Sequence, residues 1–179
     1  MGLFDNIGKA VASKPAGNQS VDVVFQTLPD TFEQFTALPQ AQLSTPFDTA
    51  AMVVLALCFY PQDEELSKKM YAFLSGPRTI NPAEYSFIKD RFRDADYVPR
   101  SYFKGATPAN DYKPSEPYTV TVSDNPYSYQ NEGYAKMFLT SGGADNQRFV
   151  NLRKAKDDTW YIWEQFILVG IRQPESQNP

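Results

Sequence analysis

Hydrophobic and polar positions along the chain divide it into two halves with different periods. From Ala50 to Phe59 no side chain is polar except the thiol of Cys58. A helix apolar all round is a buried one, and this run falls well short of the roughly 20 residues that cross a bilayer. Phe47 to Tyr60 is therefore predicted to be a central helix and the hub of the core. Three amphipathic helices are predicted around it. Asp30 with Glu33 reads as a capping box ahead of Phe32, Phe35 and Leu38, and Asp63 to Leu74 carries Leu66, Met70, Phe73 and Leu74 at helical spacing before Gly76-Pro77 stops it. Asn81, Pro82 and Glu84 repeat, ahead of Tyr85, Ile88 and Phe92, the N-cap, first-turn proline and acid that Thr45, Pro46 and Asp48 supply to the apolar helix.

Strand signals bracket this helical stretch. Val21 to Phe25 is short and β-branched, and Tyr118 to Val122, Tyr134 to Thr140, Arg148 to Ala155 and Trp160 to Val169 follow in the second half. The connections at Ser141 to Gln147 and Lys156 to Thr159 are short enough for hairpins, so the sheet is predicted to be antiparallel. The pattern predicts one α+β domain over residues 1–179, its N-terminal-half helices packed on a mostly antiparallel sheet of four to five strands. A short helical arm is expected over 1–17, with Leu3, Phe4, Ile7 and Val11 on one side.

Two stretches depart from simple alternation. Trp160-Tyr161-Ile162-Trp163 and Phe166-Ile167-Leu168-Val169 place apolar groups on both faces of the last strand, as Met137, Phe138 and Leu139 do earlier. Helices cover one face; the second is expected to be the wall of a pocket or a homodimer contact. Residues 97–117 form a long loop broken by Pro99, Gly105, Pro108, Pro114 and Pro117, with Tyr97, Tyr102, Phe103 and Tyr112 interleaved with Arg100, Lys104 and Lys113. Such a loop is either a lid or binding loop, or a strap packing its aromatics on the sheet.

Composition narrows the chemistry. The 179 residues include one cysteine and no histidine. That excludes disulfide frameworks, CxxC motifs and His-based triads, and removes the usual zinc ligand and near-neutral proton shuttle. With Cys58 in an apolar run, an inert thiol is expected, and neither catalytic residues nor metal ligands nor a cofactor can be assigned. A formal charge of −4 counts against nucleic-acid binding. The N-terminus has no signal-peptide pattern and Asn6 breaks a myristoylation motif, so a cytoplasmic protein without a transmembrane segment is expected.

In Ser141-Gly142-Gly143-Ala144-Asp145-Asn146-Gln147-Arg148 the glycines can expose backbone N–H groups to an anion with Arg148 as clamp, or form a hairpin in which Asp145 pairs with Arg148 or caps the turn. Arg148, Arg153, Lys154, Lys156 and Arg172 gather on the C-terminal strands as a mildly basic surface or a solvated strand face. The candidate ligand or partner residues are Tyr97, Arg100, Tyr102, Tyr112, Asp145, Arg148, Arg153 and Trp163.

The segments Ser141 to Asp145 with Arg148, Leu152-Arg153, Trp160 to Glu164 and Ile171 to Pro174 resemble the tail signature of an uncharacterised bacterial domain family of unknown function. The resemblance implies a bacterial, cytoplasmic protein and brings no functional residues. The order of helices followed by long strands is also similar to the NTF2-like fold, which implies an apolar cavity. Two functions follow: a non-catalytic binding or assembly module, with a second copy or another protein as partner, acting through the aromatic sheet face and the 97–117 loop; or a pocket for a small anionic ligand held by Arg148, Arg153 and tyrosines, with or without turnover.

Overall fold

The computed structural model of the protein describes residues 17–178, so all but the last residue of the arm expected over 1–17 lies outside the described residues. Strand β1 (Ser20–Phe25) opens the described chain and four helices follow: α1 (Phe32–Thr36), α2 (Pro46–Cys58), α3 (Glu64–Ser75) and α4 (Pro82–Phe92). Strands β2 (Tyr118–Ser123), β3 (Tyr134–Leu139), β4 (Arg148–Lys154) and β5 (Trp160–Gln165) complete a five-stranded sheet in the order β1-β2-β3-β4-β5, antiparallel throughout. This is the α+β arrangement that the pattern predicts.

Local chemistry sets the helix starts. Thr45 Oγ1 accepts from the Asp48 N–H, Asp63 Oδ1 from Leu66 and Asn81 Oδ1 from Ala83, each satisfying an N–H that the first turn leaves free. For α1 the cap is Thr31 rather than Asp30. Thr31 Oγ1 accepts from Gln34 N–H while Gln34 Oε1 accepts from the Asp30 N–H, so the box is shifted by one residue and closed by Gln34. Gly76 ends α3 with φ of +63°, a conformation that other residues enter at a cost.

Helix α2 lies against the inner face of the sheet and touches all five strands. Residues Ala50 to Leu57 are at most 1% exposed. Val120 and Val122 of β2, Ala135, Met137 and Leu139 of β3, Val150 and Leu152 of β4 and Ile162 of β5 are buried to the same extent on the sheet side. At one end of α2, Thr49 Oγ1 donates to the Trp160 carbonyl, and Ser67 Oγ of α3 donates to that of Ala56. Cys58 sits in the last turn, where desolvation pushes its thiol pKa up to about 12, as an inert thiol requires.

Residues 97–117 form a strap. Val120 and Val122 pair with β1 across the sheet, but β2 meets β3 only at Val122↔Leu139 and Ser123↔Phe138. The strap enters where the two strands diverge: Phe103 bridges to Val120, the Lys104 N–H donates to the Thr119 carbonyl and the Gly142 N–H to that of Ser101. Its aromatics Tyr97, Tyr102, Phe103 and Tyr112 are buried.

The last strand is shorter than the predicted Trp160 to Val169. After Gln165 the chain leaves the sheet, and Ile167 and Leu168 turn into the core. The carbonyls that a longer strand would have paired are taken by side chains: Tyr102 donates to Ile167, and Arg148 to Val169 and Gly170.

Because α2 has no exposed face, truncating it leaves a void that little can fill. Leu55→Ala is expected to cost about 2–5 kcal/mol of unfolding free energy in urea titrations; a loss under 1 kcal/mol would show that α2 is not the hub.

Candidate functional site

On the side away from α2 the described residues leave the sheet of β3, β4 and β5 uncovered. Its outer positions are Tyr134, Lys136 and Phe138 on β3, Phe149, Asn151 and Arg153 on β4, and Tyr161, Trp163 and Glu164 on β5. Ile162 pairs with Leu152 and Glu164 with Asn151, leaving Trp163 as the extra residue of a β-bulge. A bulge shifts the alternation by one and re-aims a side chain. Trp163 faces outward by alternation with the buried Ile162, 36% exposed, and the extra residue brings Glu164 to the same side beside it.

The indole is the centre of a cation–aromatic cluster. The Arg153 guanidinium lies 5.1 Å from the Trp163 ring centroid and 5.9 Å from that of Tyr134, and the two rings meet edge to face at 6.1 Å. From the edge of the sheet the turn after α3 brings Arg78 to 6.0 Å from the same indole. A Cβ on Gly76 would stand 2.7 Å from the Tyr161 ring, so only glycine lets this turn lie flat on the sheet.

Arg78 is held in place from behind. Its Nη1 and Nη2 donate to the two Glu84 carboxylate oxygens at 2.9 and 3.0 Å, and the Tyr71 hydroxyl donates to Glu84 Oε1 at 2.7 Å. Burial pushes the Glu84 carboxyl up, but the hydrogen bonds from Arg78 and Tyr71, together with the guanidinium charge, outweigh it and hold the carboxyl below its ordinary value of 4.5. Tyr71 is raised well above the usual phenol value, by its own burial first and then by the adjacent Glu84.

Between the turn and the strands lies an open cleft of about 610 Å³, lined by Pro77, Arg78, Arg153, Lys154, Lys156, Tyr161 and Trp163 among others. Lys154 pairs with Asp158 at 3.1 Å. Among the described residues Arg153 and Lys156 have no carboxylate within 4.0 Å. A second cleft of about 450 Å³ lies on the other side of Trp163, walled by Tyr127, Tyr134, Lys136, Asn151 and Glu164. Beyond it Phe138, Phe149 and Phe166 form a row of rings, with the Lys136 ammonium 4.0 Å from the Phe149 centroid.

Of the eight candidate residues, the fold brings together two, Arg153 and Trp163. The other six lie elsewhere and tie the strap and the C-terminal segment to the sheet. Tyr97 stacks on Tyr112 at 5.3 Å, and the Tyr112 hydroxyl donates to the Arg172 carbonyl. Tyr102 and Arg148 hold the carbonyls after β5, and Arg100 reaches the Asp111 carbonyl at 3.4 Å. Asp145 pairs with Arg172 at 3.1 Å, not with Arg148. The glycine loop is a close crossing: the Gly142 N–H is taken by Ser101 and that of Gly143 by Ser141 Oγ, and a Cβ on Gly142 would stand 2.0 Å from the Ala106 carbonyl oxygen. Sequence reasoning missed Arg78, Tyr134 and Tyr161. Arg78 carried no signal beyond the Gly76-Pro77 stop that precedes it.

A family model described as Domain of unknown function (DUF6935) matches residues 27–175. The chain belongs to this family. The DUF6935 match takes in α1 to α4 and β2 to β5, and with them every residue of the cleft. No curated protein and no solved structure matches the chain. The expected likeness to the NTF2-like fold has no support: where that fold keeps an apolar cavity, the inner face of this sheet is filled by α2. No helix among the described residues is long and apolar enough to cross a membrane, and among them no group of three or more acidic or thiol side chains could hold a metal ion.

The Glu84 carboxylate gives a pH signature. Its value is lowered in the fold, so its contribution to stability is complete above the ordinary carboxylate range and is lost as pH falls through and below 4.5. The stability difference between wild type and Glu84→Gln is expected to shrink on acidification from about pH 6 to about pH 3. A difference that stays constant over that range would contradict the Arg78–Glu84–Tyr71 arrangement.

Proposed function

We propose that this protein is a non-catalytic binding module of the bacterial cytoplasm, that its working surface is the outer face of β3 to β5, and that what it binds is anionic. The setting follows from the resemblance of its C-terminal third. The surface rests on one observation: Trp163, facing outward at a bulge, sits between two clefts and beneath two guanidinium groups on a face that no helix of the described residues covers. Exposed aromatics rimmed by cations mark interaction sites more often than they mark idle surface.

Charge supplies the chemistry of the occupant. The chain as a whole carries −4, yet Arg78, Arg153, Lys154 and Lys156 converge on one cleft, with Arg78 paired to Glu84 and Lys154 to Asp158. A local reversal of sign inside an acidic protein steers an anion to that spot and repels a second copy elsewhere. The 97–117 segment has no part in this reading, because its aromatic rings are interior. Binding without turnover is favoured by the groups in the cleft: strong cations, with Glu84 already committed to Arg78 and Tyr71.

Retention on a heparin column tests the reading, since a protein of net charge −4 has no reason to bind a polyanion without such a patch. At low salt and about pH 7.5 the wild-type chain is expected to be retained and to elute as salt rises, with slope set by the few cations engaged. The Arg153→Ala/Lys156→Ala double variant is expected in the flow-through, and Lys113→Ala, on the strap, should behave as wild type. Wild-type protein in the flow-through would count against the proposal.

A further inference from the structure

We infer that the cleft beside Trp163 is a site for a small organic phosphate with a planar ring, a ligand of the nucleotide class. The inference rests on the proposed anion-binding role of the outer sheet face and narrows it to one kind of ligand and one of its two clefts.

Size and shape come first. A cleft of about 610 Å³ falls in the range of small-molecule sites and is a recess between the Gly76–Arg78 turn and the strands, whereas a protein partner would more often meet a flat patch. Its lining has two parts. Pro77, Tyr161, Ala155 and Trp163 give apolar and aromatic walls, and Arg78, Arg153, Lys154 and Lys156 give the charge. A ligand that satisfies both parts has a flat apolar body and a compact anionic end.

The arithmetic of charge selects phosphate over a single carboxylate. Four cations against Glu84 and Asp158 leave two positive charges without a protein partner, those of Arg153 and Lys156. A phosphate monoester carries about −1.5 to −2 near neutral pH in one compact group, which a lone carboxylate does not.

The cations are also prepared for an oxyanion. The Arg153 guanidinium lies beside Trp163 and Tyr134 and makes no hydrogen bond among the described residues, so its N–H groups are free to donate to ligand oxygen. Arg78, its two Nη groups anchored by Glu84 and its Nε buried, adds fixed positive charge to the cleft wall. Glu84 and Tyr71 are positioning residues here; Arg153, Lys156 and Trp163 touch the ligand.

Isothermal titration calorimetry on the full chain at low salt tests this with AMP, GMP, CMP and UMP, their nucleosides, inorganic phosphate and a tri-glutamate peptide as separate probes. At least one nucleotide is expected to bind with one-to-one stoichiometry, and at least tenfold more tightly than either its nucleoside or inorganic phosphate. Arg153→Ala and Lys156→Ala should each weaken that binding about tenfold or more, Arg153→Lys should restore only part of it, and Lys136→Ala in the neighbouring cleft should leave it unchanged; thermal melts of each variant separate lost binding from lost folding. Four nucleotides that bind no better than phosphate or nucleoside overturn the inference. If the tri-glutamate peptide then binds in an Arg153-dependent way, the broader anion-binding reading survives; if it also fails and the protein is not retained on heparin, both fall.

Discussion

Everything in this fold depends on the packing of one helix that has no polar side to show. Helix α2 is closed to solvent from Ala50 to Leu57, so it must be surrounded. The sheet surrounds it on one side, with every strand in contact, and α3, the strap and the turn after α1 take the rest. Burying a medium-sized apolar side chain contributes about 1.5–3 kcal/mol, so a helix with eight consecutive buried positions dominates the energetics of the domain. The arrangement is one-sided. With the four helices of the described residues drawn to the inner side, none of them is left for the outer one.

The uncovered face is not a uniform hydrophobic surface. Thr121 on β2 donates to Asp22 on β1, which also pairs with Lys104, so that end is polar and internally satisfied. Towards β5 the character changes to rings and cations. The change is produced by Tyr161 and Trp163, which alternate with the buried Ile162 and so face outward, and by Gly76, whose missing side chain allows the α3 turn to lie on Tyr161 and carry Arg78 to the sheet. Glu84 and Tyr71, both from the helical layer, then fix Arg78 from below. The helical layer thus shapes the cleft without covering it.

Much of the fold was legible because local signals and burial agree. The buried helix could be read from a run without polar side chains, and two helix starts from Thr45 and Asn81, each of which caps as expected. The site was far less legible. Tyr97, Tyr102, Tyr112 and Arg148 suggested a binding loop because phenols and guanidinium groups are common at sites, yet the same groups serve equally well to satisfy backbone carbonyls in a segment that has left the sheet. Only the long-range pairing of strap and tail distinguishes the two uses, and no short window of sequence contains it. Arg78 lies 75 positions from Arg153 along the chain and joins it only through the α3–β5 packing. The bulge was likewise hidden, since an apolar run on both faces has the same pattern whether one residue is extra or the strand is simply buried twice.

The central claim is that Trp163 stands exposed in a positive local field on an acidic protein. Quenching of its fluorescence by ions of opposite sign measures both properties together, with Trp160→Phe used to leave Trp163 as the only indole. The account predicts that iodide quenches strongly and more efficiently than caesium at equal concentration, and that Arg153→Ala/Lys156→Ala in the same background removes the preference. An indole shielded from both ions, or one quenched better by caesium, would contradict it.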